Sequence, residues 1–174
     1  MPPRLPKPLP AGDVAGRHYL TKAEINSLYF ATHQMPQPRG WRQSIPVGRY
    51  WRAALVVFFN YGLDSGTVWG TTPFHEPIFW RHVSWARNAP TREVKQLSRL
   101  GWLPYRRVQT GKSFCRPMNR VVHAHLRSLR VGEPQPDDPV FTGSTARPNV
   151  RFRELCRLAG IGPKKDLESA EEKP

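Results

Sequence analysis

The sequence is short of acids, of cysteine and of long apolar runs, and each shortage excludes something. Only 13 Asp and Glu face 27 Lys and Arg, which leaves a formal net charge of +14 and a pI near 10.7. So one-sided a balance points to a polyanionic partner, nucleic acid first, and is silent on fold. The 2 cysteines, Cys115 and Cys156, lie far apart and make no disulfide framework, so a reducing cytoplasm is the expected setting. No apolar stretch approaches the ~18 residues of a membrane-spanning helix. The opening MPPRLPKPLPAG has charge but lacks the apolar core of a secretory signal. The histidines (His18, His33, His75, His82, His123 and His125) stand at no metal-ligand spacing with Cys, Asp or Glu. His123 and His125, two apart on an expected helix, face opposite sides. Neither a metal nor a cofactor is expected.

What is present argues for one ordinary folded domain with irregular ends. Hydrophobic residues make up 39% of the chain and there are 6 Trp, enough for a core, while 19 Pro call for long irregular segments. Residues 1–16 read as a Pro-rich extended arm, 17–162 as the domain, and 163–174 as a charged tail mixing Lys and Glu. Thr21 and Glu24 form a capping-box pattern ahead of a helix over about 22–33. RYWRAALVVFFNYG (49–62) has no strand alternation and is apolar nearly all round, so it reads as a buried central helix ended by Gly62. PIFWRHVSW alternates and reads as a strand. RLGWLPYRRVQTGKSFCRPM reads as two more strands around a Thr-Gly-Lys turn, with Pro104 on an edge or bulge. Helices follow over 119–130, with Asn119 as cap and Val122, Leu126 and Leu129 inward, and over 148–160, with Val150, Leu155, Cys156 and Ala159 as its apolar pattern. The expected class is α+β, helices packed on a small three-stranded antiparallel sheet.

TGKS at 110–113 imitates the end of a phosphate-binding loop, but the required glycine is missing: position 106 is Arg. A hairpin turn with an exposed lysine explains it better. The basic distribution says more. Lys or Arg recurs at 81, 87, 92, 95, 99, 106, 107, 112, 116, 120, 127 and 130, and over that span the only acid is Glu93. A solvated face mixes both signs, so this field favours phosphates, and arginine's planar fork suits them. Trp80, Trp85 and Trp102 are interleaved with it and read as core residues before stacking platforms.

The order of YLTKAEI, RYWRAALVVFFNYGLDSGTVW, GWLPYRRVQTGKSFCRPMN and LCRLAGIGPKKDLES resembles the first half of a tyrosine recombinase (phage-integrase) catalytic domain, in particular the planctomycete-type integrase-like proteins. The likeness covers about residues 18–174. It implies DNA strand transfer through a tyrosine nucleophile, with arginines, a lysine and histidines stabilising charge on phosphate oxygens, and no metal. Two positions depart from the family. Asp64 stands where its first catalytic arginine is usual, in Gly62-Leu63-Asp64, and a carboxylate there repels the substrate. Gln109 stands at its usual lysine, leaving Lys112 as the weak substitute. The His-x-x-Arg motif and nucleophilic tyrosine belong beyond GPKKDLESAEEKP, and Tyr19, Tyr29, Tyr50, Tyr61 and Tyr105 all precede it.

The resemblance therefore implies a truncated, catalytically inactive recombinase-like chain that keeps DNA-backbone binding through Arg106, Arg107, Lys112, Arg116 and Arg120, with no membrane association. Self-association is expected if missing helices leave Val56, Val57, Phe58 or Phe59 uncovered. Two other readings stay open: the front fragment of a complete site-specific DNA recombinase, and a small basic RNA-binding protein.

Overall fold

A computed structural model describes residues 20–41, 44–63, 65–70, 76–107, 110–141 and 148–161. The arm 1–16, the tail 163–174, Asp64 and Gln109 lie outside the described residues.

Helix α1 (Lys22–Ala31) starts at the expected capping box: Thr21 Oγ1 accepts from the Glu24 N–H at 3.2 Å, and the Glu24 carboxylate accepts from the Thr21 N–H at 2.7 Å. A 3-10 turn, Thr32–Gln34, carries it on. Helix α2 (Val47–Tyr61) is the buried central helix. Tyr50, Trp51, Ala53, Ala54 and Val57 are wholly covered, and Gly62 ends the helix in the left-handed conformation, φ 59°. Of the apolar residues near its end, Val56 and Val57 are buried, Phe58 is half-buried and Phe59 is exposed. A short helix α3 (Ser65–Trp69) follows and returns Trp69 to the core, where its ring meets Trp51, Phe58 and Phe141. The Trp69 indole N–H donates to the Tyr50 hydroxyl, whose pKa burial pushes well above the ordinary tyrosine value.

Strands β1 (Trp102–Arg106) and β2 (Ser113–Pro117) form the expected antiparallel hairpin, pairing Leu103 with Arg116 and Tyr105 with Phe114. The expected third strand is not one. Phe79 makes an isolated bridge to Pro139, Trp80–His82 is a 3-10 turn, and Ser84 makes an isolated bridge to Trp102. The sheet is two-stranded. Proline explains where pairing stops. Trp102 spends both its N–H (2.7 Å) and its carbonyl (3.0 Å) on Ser84, so the outer edge of β1 runs through Trp102 and next through Pro104, which has no N–H to donate.

Helix α4 (Arg120–Leu129) is capped by Asn119, whose side chain accepts from the Val122 N–H at 2.9 Å, and buries Val122, Leu126 and Leu129 as expected. It packs on α2 in the opposite direction. Asn119 donates to Asn60 at 2.6 Å at one end, and further along His125 lies near enough to Arg52 to feel its charge. Helix α5 (Pro148–Leu158) packs on α1 and buries Leu155. Val150, expected inward, is exposed: it precedes Leu155 by five residues, which turns it about 140° away around the helix.

Where α1 meets α2, a Cβ on Gly48 would stand 2.1 Å from the Thr32 carbonyl oxygen. Gly48→Ala is expected to cost several kcal/mol, because backbone must move. Gly132→Ala meets nothing within 4 Å and carries only the cost of its φ of 72°, about 1 kcal/mol. Urea denaturation of the two variants checks the contrast. Burial, then the Arg52 charge, holds His125 below its ordinary 6.5. A base depressed in the folded state is neutral there, so folding binds fewer protons, and stability present above 6.5 falls as pH drops below it. His125→Gln is expected to flatten that slope in denaturation midpoints measured from pH 7.5 down to 5.

Candidate nucleic-acid interface

The C-terminus of α2, the hairpin and the N-terminus of α4 meet at one end of the domain. Leu103 and Tyr105 of β1 share one face of the hairpin with their partners Arg116 and Phe114 of β2; Leu103 and Tyr105 are buried, and Arg116 reaches the surface. Tyr105 stacks on Phe114 at 5.6 Å, and Tyr61 at the end of α2 packs against Tyr105 at 6.1 Å. The Tyr61 hydroxyl donates to the Pro117 carbonyl at 3.2 Å. Burial, then the neighbouring Tyr105, pushes its pKa up to about 12, so it stays protonated and serves as a donor. The TGK segment is the turn: Gly111 takes φ 64°, and its N–H donates to the Arg107 carbonyl at 2.8 Å.

Five cations expected to bind DNA sit on this end, and the structure divides them. Arg107 faces inward. Its guanidinium donates to the carbonyls of Gly62 at 3.2 Å and Tyr61 at 3.4 Å, and lies 5.5 Å from the Phe114 ring centre. Its Nε is buried without a partner. A cation at the open carbonyls of a helix end is where the backbone dipole favours it, so Arg107 ties the hairpin to α2. The other four are exposed. Arg106 donates across the turn to the Gly111 carbonyl at 2.9 Å, and Arg116 lies 5.7 Å from the Phe114 ring centre. Lys112 stands on the turn and Arg120 begins α4. None of these four has an acidic partner among the described residues. The ion pairs among the described residues lie elsewhere: Arg81 with Glu76 and Asp137, and Arg151 with Glu154.

Two further exposed cations lie farther along α4. Arg127 and Arg130, with Trp85 and His123, line a cavity of about 410 Å³ beside α4. Their spacing was the available signal: Arg120, His123, Arg127 and Arg130 recur every three or four residues, within roughly 80° of one another around the helix.

No family model, curated protein or solved structure matches the chain.

Arg107→Ala leaves the last α2 carbonyls without their donor and is expected to cost about 1–3 kcal/mol. Lys112→Ala, on the exposed turn, is expected to change stability by less than ~0.5 kcal/mol. Chemical denaturation of both variants separates the structural cation from the free one.

Proposed function

We propose that the protein binds the phosphate backbone of duplex DNA through Arg106, Lys112, Arg116 and Arg120, as a recombinase-like chain without strand-transfer activity of its own. The observation that carries this reading is the set of exposed cations at the hairpin end, none matched by a described acid, while ion pairs form elsewhere. Repelling one another across a small surface, such charges gain most from an anion that meets several at once, and releasing counterions from DNA supplies the driving force. Arg107 contributes by holding the hairpin against α2.

The described tyrosines favour binding over chemistry. Tyr50 and Tyr105 are buried, the Tyr29 hydroxyl is bonded to His125, and the Tyr61 hydroxyl is bonded to Pro117. Among the described residues, none stands free beside the cations as a nucleophile must. The resemblance to tyrosine recombinases supplies DNA as the polyanion.

The test is duplex affinity measured across a salt series. For the wild-type chain the logarithm of the binding constant falls linearly with the logarithm of salt concentration. Arg106→Ala, Lys112→Ala and Arg120→Ala together are expected to shallow that slope by about 0.9 for each phosphate contact removed. Unchanged affinity and slope in a folded triple variant would overturn the proposal. Tighter binding of structured RNA than of duplex DNA would sink its choice of partner.

A further inference from the structure

We propose that the cavity between α4 and the Ser84–Trp85 segment takes an unpaired nucleotide of a single-stranded nucleic acid, its phosphate on Arg127 and Arg130 and its base against Trp85 and His123. This goes beyond the duplex reading: none of the four residues lining the cavity belongs to the cations proposed there, and Arg120 alone borders both.

The lining holds two guanidinium groups and two flat rings, and no acid. Neither Arg127 nor Arg130 has a side-chain partner among the described residues, and the helix brings both to one cavity, where like charges call for an anion. A bare phosphate accounts for the arginines and leaves the aromatic half of the lining unused. The Trp85 and His123 rings meet edge to face at 5.4 Å, giving the cavity a ring surface of the kind on which bases stack.

Trp85 is set in place before any ligand arrives. Trp80 stacks on it at 6.5 Å, and the Ser84–Trp102 bridge pins the residue before it. Gly101, at φ 105°, lets this segment lie against β1: a Cβ there would stand 2.0 Å from the Ser84 carbonyl oxygen and 2.9 Å from the Trp85 Cα. The Ser98 hydroxyl closes that turn, donating to the Gly101 carbonyl at 2.8 Å. A duplex keeps its base faces stacked inside, whereas an unpaired strand offers them. A strand suits the site better than a free mononucleotide, because Arg120 extends the same basic stripe to about 15 Å.

The experiment uses the full chain and fluorescence anisotropy with a labelled oligothymidylate of about 12 nucleotides, an abasic strand of equal length, and a duplex. Wild-type protein is expected to bind the oligothymidylate about tenfold or more tighter than the abasic strand, the size of one lost stacking contact. Arg127→Ala/Arg130→Ala, at exposed positions with the fold checked by circular dichroism, is expected to weaken oligothymidylate binding at least about tenfold. Equal affinity for the abasic strand reduces the cavity to an anion site and overturns the inference, as does a folded double variant that binds oligothymidylate like wild type. Duplex binding that ignores the hairpin substitutions counts against the proposed function alone; the oligothymidylate results still decide this one.

Discussion

A helix covered along most of its length must have its end groups satisfied by protein, and the arrangement of this domain follows from doing so for α2. At the N-terminal end the Gln37 side chain accepts from the Val47 N–H at 3.1 Å. At the other, Gly62 turns the chain back on the Phe58 carbonyl, and Arg107 donates to the carbonyls of Tyr61 and Gly62. Asn60 adds a bond to the Val56 carbonyl at 2.8 Å and receives one from Asn119. Two of these contacts bring in another element. Arg107 brings the hairpin and Asn119 brings α4, so the close of one helix assembles the surface where the free cations stand.

That economy splits the basic residues by role. Net charge is a property of the whole chain, but the cations differ in what already satisfies them. Arg107 is held by backbone carbonyls and an aromatic face, Arg81 and Arg151 by carboxylates. Lys112, Arg120, Arg127 and Arg130 are held by nothing described. Exposed ion pairs contribute little to stability, so the cost of leaving these four unpaired is small in folding terms. Its consequence lies in the field they project from the hairpin along α4.

Most helices were legible because their signals are local. The Thr21–Glu24 box, the apolar run of α2, Gly62 and Asn119 each act within a few residues. The third strand was misread because alternation in PIFWRHVSW describes side chains, whereas pairing depends on backbone donors in a distant partner. Pro104 withholds one, and the segment folds instead into a 3-10 turn held between the Pro136–Val140 loop and Trp102. The site was legible as a charge excess and not as a division of labour. Nothing in Arg106-Arg107 says which guanidinium turns inward; that follows from β1 ending at Arg106 beside the end of α2. Arg127 and Arg130 were visible as charges, but their company with Trp85 depends on Gly101 and a bridge between segments far apart in sequence.

Helix α4 breaks a local rule, and the breach falls where the free cations gather. Its first turn carries Arg120 and no acid, so a positive side chain stands at the positive end of the helix dipole. Such a placement costs about 0.3–1 kcal/mol where a carboxylate would have gained as much. Asn119 meets one of the open N–H groups, on Val122, and at the same time ties the cap to Asn60. An acid at position 120 would have served the helix better in isolation. It would also have placed a negative charge between the hairpin cations and the Arg127–Arg130 cavity. Local stability and an uninterrupted field make opposite demands on this position. Arginine at 120 meets the second, and a phosphate bound there would relieve the helix end as well.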